Sequence, residues 1–468
     1  MRFVKRLLPF LSILFISSSN YGQTIVSGDV SGVWTKNNNP YIVADNINIV
    51  DSLIITPGVI VKVQVGGLEI KVENQNKFKA VGSEDEPIIF EPYVGQAHGI
   101  WQGITISNSG DDDTISNCIV QSANIGLQIG DSSPLISDCV IHDNIYGLVL
   151  GYYYDPDTPK VRNCIMYNND SAGVRISGYD RYGPVSATIY IQGCTIYNNK
   201  YGIDIYSGTY WSWGTAYCLG KISNCTISNN QTGIRAYAYR GYADAKIVNT
   251  IISFSSGYGV RNQDSHSYID AADITYNCLW GNESGDFGPG ITAPGFGQNG
   301  NYFNSNNDSC DVNLNIYYKP MFIDTSQHNY NLQNSSKCIN AGTDIVFGEL
   351  LEDPDGTLPD IGAHYYDHAT NVKDLNLNTL KYNYVLEQNY PNPFNPLTKI
   401  RFYAPKLSFV SIKIYNVLGR LVTALLNKEV ASGEHEISFD ASKFPSGVYF
   451  YKLQAGKYSV CRKMVVLK

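Results

Sequence analysis

Between Ile115 and Asn262 the chain repeats a short phrase whose apolar and polar positions alternate and are interrupted at fixed places. Aligned on a cysteine, the phrases are ISNCIVQSANIGLQI (115–129), ISDCVIHDNIYGLVL (136–150), VRNCIMYNNDSAGVRI (161–176), IQGCTIYNNKYGIDI (191–205) and ISNCTISNNQTGIRA (222–236). IVNTIISFSSGYGVRN (247–262) follows with Thr250 in the cysteine's place, and a degenerate TYNCLWGN starts at Thr275. Successive phrases start 21, 25, 30, 31, 25 and 28 residues apart. Two residues after the cysteine stand Val120, Ile141, Met166, Ile196 and Ile227. One and three after the glycine stand pairs such as Leu127 and Ile129, or Ile203 and Ile205. The positions between them include Thr195, Thr226, Arg175, Asp204 and Arg235. A period of two predicts short strands with one face buried, not helices.

Three residues before the cysteine is another apolar position (Ile115, Ile136, Val161, Ile191, Ile222). That odd step breaks the alternation and predicts a bend or bulge. The strands break at Asn and Gly, where left-handed backbone is cheap. Five residues after the cysteine come Asn144, Asn169, Asn199 and Asn230, which can form an amide ladder if the units stack. A single unit cannot bury its inner face, whereas a stack has a continuous core. The pattern therefore predicts an all-β chain built on a parallel β-helix, with about seven coils over residues 93–280. A β-propeller fits less well, since blades run about 40–45 residues with four strands. In the stack Cys118, Cys139, Cys164, Cys194, Cys225 and Cys278 are expected inside as small apolar groups. A serine in place of Cys194 would then bury a hydroxyl with few partners, at about 1–3 kcal/mol. Cys218, Cys310, Cys338 and Cys461 fall outside the phrase. A Cys310–Cys338 bridge is an option in an exported chain.

The phrase N-C-x-I-x-x-N-x-x-x-G-I-x-I resembles the right-handed parallel β-helix repeat of pectate-lyase-like proteins. Trp34, the run Leu53–Val61 and the run Val81–Phe90 are similar to the N-terminal segment of that group. Residues 320–365 are similar to the closing segment of many such exported proteins. The resemblance implies the fold and says little about activity.

Both ends of the chain read differently. Met1–Arg6 is short and basic, Leu7–Ile16 is an apolar run of ten, and Ser17–Gly22 is small and polar. Residues 1–22 therefore read as a signal peptide with Gln23 as the mature start; ten apolar residues are too few for a span of about 20. After it, residues 23–92 read as a β-rich opening cap, 93–280 as coils, 281–367 as last coils and closing segment, and 368–383 as a linker. Residues 384–468 then alternate again, over Thr398–Tyr403, Ser408–Tyr415, Gly433–Asp440, Gly447–Ala455 and Cys461–Leu467, which predicts a small antiparallel β-sandwich. Tyr390–Pro396 (YPNPFNP), Ile414–Gly419, Ser446–Tyr451 and Lys463–Lys468 closely resemble the type A sorting domain of the type IX secretion system. That resemblance implies export across an outer membrane, and secretion machinery as a partner. A sugar-binding accessory domain is the other reading of a sandwich.

Charge sharpens the division. Residues 382–468 carry a net +7 and residues 23–381 a net −18. So acidic a body repels nucleic acid, and it disfavours bare polyuronates unless a cation bridges the two. No later segment is apolar enough to anchor the chain in a membrane.

Candidate chemistry sits in the segments between one coil and the next, which grow and become aromatic. Tyr153, Tyr179, Tyr182, Tyr210, Trp211, Trp213, Tyr237 and Tyr239 recur at one station and are expected to line one face, the usual binding face of a solenoid. Exposed rings with polar edges suit the apolar faces of sugars in a polysaccharide or cell-surface glycan; packing on each other is the alternative. Two residues after the repeat glycine stand Arg175, Asp204, Arg235 and Arg261. Neighbours in that row are about 4.8 Å apart, so Arg175, Asp204 and Arg235 are candidate lyase residues, or simply cross-strand ion pairs. A glycoside hydrolase needs two carboxylates on one cleft; Asp155, Asp157, Asp180, Asp204 and Asp244 are available, with no spacing that singles out a pair. Asp353, Asp355 and Asp360 surround a Gly turn and can be read as calcium ligands, although the twelve-residue loop ending in Glu is missing. Two functions stand from sequence: a polysaccharide-binding β-helix without turnover, and a polysaccharide lyase or hydrolase on the same scaffold.

Overall fold

The structure is a computed structural model that describes residues 23–467 other than 110–112, 153–157, 181–184, 210–215, 240, 265–266, 352, 354–355, 367–384, 387–388, 390, 405–407, 418–419, 431–432 and 456–457. Residues 1–22, read from sequence as a signal peptide, and residues 368–383, read as a linker, lie outside the described residues. Two compact units result: residues up to 366 other than 83–86 and 323–330, and the residues from 367 onward together with those two short segments.

In the first unit, 28 strands pair into one continuous sheet wound into three parallel ladders. One coil shows the plan: Lys160–Arg162, Ile165–Tyr167 and Ala172–Asp180 stand in the first, second and third ladders. Their partners one coil on are Val185–Gln192, Thr195–Tyr197 and Tyr201–Thr209. Ala216–Ser223, Thr226–Ser228 and Thr232–Tyr239 come next. The coils begin well before the cysteine phrase, since Thr24–Trp34 already pairs in parallel with Tyr41–Ile55.

The bend anticipated before the cysteine is a single left-handed residue. Asn117, Asp138, Asn163, Gly193, Asn224, Asn249 and Tyr276 occupy it, with φ between 48° and 67°. A second left-handed corner lies four residues after the cysteine, at Asp143, Asn168, Asn198 and Asn229, with φ between 53° and 56°. The repeat glycine has another cause than the one expected. A Cβ on Gly202 would lie 2.5 Å from the Gly233 carbonyl oxygen, so it is the close approach of stacked coils that requires it.

Inside, the cysteines form the expected row: Cys118, Cys139, Cys164, Cys194 and Cys225 are all buried. Each thiol donates to the carbonyl two residues earlier, as Cys139 Sγ does to Ser137 O at 3.1 Å and Cys225 Sγ to Ser223 O at 3.2 Å. Burial, the first cause, raises the Cys139, Cys164 and Cys194 thiols well above their ordinary range. Cys278 does not belong to this row, contrary to the sequence alignment. It pairs with Ile251, and Asn277 takes the cysteine station opposite Thr250. The Cys278 thiol lies against that of Cys338 instead. All ten cysteines are free, so Cys310 and Cys338 are not bridged, and Cys218 is an unpaired buried thiol.

The amide ladder is present. Asn144 Nδ2 donates to Asn169 Oδ1 at 3.1 Å, Asn169 to Asn199 at 3.0 Å, and Asn199 to Asn230 at 3.1 Å. Below the last coils, Asn277 Nδ2 donates to Asn315 Oδ1 at 3.0 Å, and Asn315 N donates to Asp311 Oδ1 at 3.0 Å. The closing segment runs back along the second ladder. Gly362 N donates to Asn249 O, Ala363 N to Thr226 Oγ1, and His364 Nε2 is hydrogen-bonded to Thr195 Oγ1 at 3.0 Å.

The second unit holds two antiparallel sheets. One has the order Val385–Leu386, Leu397–Ala404, Gly433–Asp440, and the other Leu421–Val430, Ser408–Asn416, Gly447–Ala455, Tyr458–Val466. Leu421–Val430 was not foreseen from sequence. Two bulges within it, at Leu425 and Val422, face the partner steps Ile412/Lys413 and Ile414/Tyr415 and break its alternation. Ile400, Phe402, Ile412, Ile414, Tyr451, Leu453 and Met464 make the core.

Candidate functional site

The segments expected to be aromatic inserts are largely strand. The third ladder runs on through Ala172–Asp180, Tyr201–Thr209 and Thr232–Tyr239, and the first starts early at Val185, Ala216 and Tyr242. The two ladders meet there across a thin core of small side chains: Ala187, Cys218, Ala238, Ala243 and Ala245 are buried, and Ser207 Oγ donates to Ala216 O at 2.7 Å. A Cβ on Gly178 would lie 2.5 Å from Cys218 Sγ. The tips, with Tyr153, Tyr182, Tyr210, Trp211 and Trp213, fall outside the described residues, as does the Tyr179 side chain.

On the outer face of the third ladder, rows set by register bring the charged and aromatic candidates together. Val149, Arg175, Asp204, Arg235 and Arg261 occupy one row. Asp204 is fully buried. Arg235 Nε and Nη2 both reach its Oδ1 at 2.8 Å, and Arg175 Nη1 lies 3.8 Å from its Oδ2. Each guanidinium is in turn held by rings. Arg175 lies 5.6 Å from the Tyr146 ring and 5.2 Å from that of Tyr206, and donates to Tyr146 Oη at 3.3 Å. Arg235 is 3.7 Å from the Tyr201 ring centre and 6.0 Å from that of Tyr237. Tyr206 stacks on Tyr237 at 5.4 Å, and Tyr239, beyond it, is 53% exposed.

Chemically this is a clamp. A carboxylate beneath two guanidinium groups has no path to a sugar oxygen, whereas the rings around it are only half-buried, each Arg–ring contact being worth about 0.5–1 kcal/mol at an exposed site. Sequence reasoning missed Tyr146 and Tyr201. Their signal was available, since both stand directly before the repeat glycine.

The other carboxylates are dispersed. Asp244 stands on the outer face of the first ladder, where it accepts from Tyr217 Oη at 3.0 Å and from Ala245 N at 2.7 Å. Burial raises its carboxyl, and burial followed by the Asp244 charge pushes the Tyr217 hydroxyl up to about 12. Asp204 and Asp244 thus face away from each other on different ladders. Asp155 and Asp157 lie outside the described residues, as does the Asp180 side chain.

The calcium reading of the closing segment finds its third ligand otherwise engaged. Asp360 Oδ1 accepts from Asn340 N at 2.8 Å and Oδ2 from Tyr366 N at 2.6 Å, which makes it a backbone staple. Asp355 lies outside the described residues. Among the described residues no three His, Cys, Asp or Glu side chains are grouped to hold a metal ion.

In the tail, the recognisable motif is an internal fastening. Asn389 Nδ2 donates to Pro391 O and Thr398 Oγ1, Asn392 Oδ1 accepts from Val465 N at 2.8 Å, and Phe394 is buried against Phe439. Among the described residues no helix is long and apolar enough to cross a membrane.

Residues 96–242 match the family described as right handed beta helix region, and residues 388–467 match the family described as secretion system C-terminal sorting domain. No curated protein is similar enough to the chain to give a match. The chain thus joins a right-handed β-helix region to a C-terminal type A sorting domain of the type IX secretion system, which marks it for secretion or attachment at the outer cell surface.

Proposed function

We propose that this exported β-helix protein binds polysaccharide without turning it over, through the aromatic strip on the outer face of its third ladder. The observation that carries this reading is the stacked pair Tyr206–Tyr237, flanked by ring-held Arg175 and Arg235 and followed by exposed Tyr239. Half-buried rings spaced by coil register offer a sugar chain a row of apolar edges and phenol hydroxyls, and Tyr239, 53% exposed, adds open ring surface. Tyr153, Tyr179, Tyr182, Tyr210, Trp211 and Trp213 belong to the same reading by their place in the sequence repeat alone. The buried, doubly clamped Asp204 supports binding over turnover. Residues 1–22 act as a signal peptide in this reading, and residues 384–468 engage the secretion machinery.

A polysaccharide array, run beside reducing-end and unsaturated-product assays, tests it. Tyr206→Ala combined with Tyr237→Ala is expected to abolish retention on the matching polymer with little change in melting temperature, and no product is expected. Trp211→Ala with Trp213→Ala is expected to behave in the same way. A loss of roughly 3–5 kcal/mol in stability instead would make the rings packing residues, and product release would make the protein an enzyme.

A further inference from the structure

On the outer face of the first ladder the hairpin Ile345–Val346 and Glu349–Leu350 overhangs a cleft of about 260 Å³. Two side-chain rows form the floor, Lys160 and Tyr190 in one and Arg162, Gln192 and Ser223 in the other, with Lys221 next after Tyr190 in the first row. Phe347 is the roof, its ring edge-on to Tyr190 at 6.4 Å. Lys221 Nζ donates to Tyr190 Oη at 3.0 Å and lies 4.8 Å from the Tyr190 ring and 5.6 Å from that of Phe347.

We propose that this cleft binds the anionic group of an acidic sugar unit, a carboxylate or a sulfate, through Lys160 and Arg162, with the sugar ring against Tyr190 and Phe347. The inference rests on the polysaccharide reading above and gives it a substrate class. Three observations support it independently.

The first is charge. In a body of net −18, Lys62, Lys71 and Lys246 are neutralised by Glu91, Glu73 and Asp273 at 2.8–3.0 Å, and the exposed Lys77 and Lys79, which form no ion pair among the described residues, do not line this cleft. Lys160 and Arg162 stand exposed, two residues apart on one strand face, and neither forms an ion pair among the described residues. The second is backbone. The hairpin turns through Phe347 and Gly348 at φ 53° and 88°, the two-residue turn that ordinarily takes Asn-Gly. A bulky ring in left-handed backbone is a poor local choice, and here it places Phe347 over the cleft. The third is size. The space is just below the roughly 300–1,000 Å³ of pockets for drug-sized ligands, which suits one sugar unit.

Glu349 on the rim is the one carboxylate among the described lining residues. Calcium takes 6–8 oxygen ligands, so contact with the anion is direct, with no bridging cation.

The test is affinity electrophoresis of the full chain through gels containing polygalacturonate, dextran sulfate or dextran. At least one acidic polymer is expected to retard the protein, in EDTA as in buffer, and which one does so separates carboxylate from sulfate. Lys160→Gln with Arg162→Gln is expected to weaken that retardation about tenfold or more. Phe347→Ala is expected to weaken it several-fold at unchanged charge, while Lys77→Gln with Lys79→Gln, exposed on the same ladder, leaves it intact. Equal losses from the two double lysine/arginine variants, a loss in EDTA, or no retardation by either acidic polymer overturns the proposal. The strip variant Tyr206→Ala with Tyr237→Ala keeps the two readings apart. If it has no effect while Lys160 and Arg162 still matter, the strip fails and the cleft stands; the converse result removes the cleft alone.

Discussion

The β-helix and the sandwich solve the same problem, that of burying strand faces, with opposite chemistry. In the sandwich, inward positions are apolar and come from alternation: Ile400 and Phe402 on one strand, Ile412 and Ile414 on another. In the β-helix, polar side chains are buried by design, because a stack of identical coils lets each satisfy the next. Asn144, Asn169, Asn199 and Asn230 are all buried, and each amide serves a neighbour one coil away. The same Asn in the sandwich would have no copy of itself at about 4.8 Å. The most recognisable residues of both regions, the cysteine–asparagine phrase and YPNPFNP, are fastenings. A motif can thus reveal a fold or an export route while its own side chains touch only the chain they hold.

The difference implies that the two regions fold independently, and deletion of residues 384–468 is the strongest way to break that idea. The truncated chain is expected to remain a folded β-helix by circular dichroism, and to accumulate in the cell envelope while the full chain leaves the cell. Arrival of the truncated chain outside at the normal level would remove the sorting role.

Next in size is the ladder. Asn199 Nδ2 donates to Tyr197 O at 2.9 Å and to Asn230 Oδ1, while its Oδ1 accepts from Asn169 N and Nδ2. Asn199→Ala orphans several buried groups at about 1–3 kcal/mol each, so a loss of about 3–5 kcal/mol is expected in denaturant unfolding. In the sandwich, Tyr451→Phe removes the bond that Asn389 N donates to Tyr451 Oη at 2.7 Å, and about 1–2 kcal/mol is expected. Equal losses would erase the contrast.

How much of this was legible follows from where each signal resides. Register residues announce themselves, because a coil that repeats its geometry repeats its sequence; the cysteine row and the asparagine ladder were readable for that reason. The misplacement of Cys278 was avoidable, since Asn282 lies five residues after Asn277, as Asn230 does after Cys225. Leu421–Val430 was hidden because two bulges of its own, at Leu425 and Val422, destroy its period of two. The strand extensions were hidden by composition, since Ala, Ser and Gly packed across a thin core carry no apolar period. Nothing local could reveal the cleft, whose floor and roof lie more than a hundred residues apart in the chain.

A smaller effect is expected where the closing segment lies on the coils. Burial pushes His364 down to about 4 from its ordinary 6.5. The unfolded chain therefore takes up this proton first as the pH falls. Stability is complete above about 6.5 and is lost progressively down to about 4. The loss should be of order 2 kcal/mol, below the full linkage value because the residue stays part-exposed. His364→Gln is expected to flatten this part of the stability–pH profile measured by urea unfolding. An unchanged slope would place the acid sensitivity elsewhere in the β-helix.

The smallest effect is expected at the cysteine row, and it revises the sequence-based figure of about 1–3 kcal/mol for Cys194→Ser. That figure assumed a buried hydroxyl with few partners. The row supplies one at every coil: Cys194 Sγ already points at Gln192 O, 3.4 Å away. One station of the same row carries a hydroxyl naturally, where Thr250 Oγ1 donates to Val248 O at 3.0 Å and accepts from Cys225 N at 3.3 Å. Oxygen is smaller than sulfur, so the substitution gives up some contact and a little transfer energy but leaves no donor unmade. We expect a loss below about 1 kcal/mol in denaturant unfolding, close to the net worth of one hydrogen bond. Cys194→Ala removes the donor as well, yet leaves the Gln192 carbonyl bonded within its ladder, so its cost should come mainly from the missing volume. If serine proves worse than alanine, the row is an apolar seam that tolerates sulfur alone, and Thr250 is the exception. If serine is the better of the two, the β-helix treats this station as it treats its asparagines, as a buried polar position satisfied by stacking.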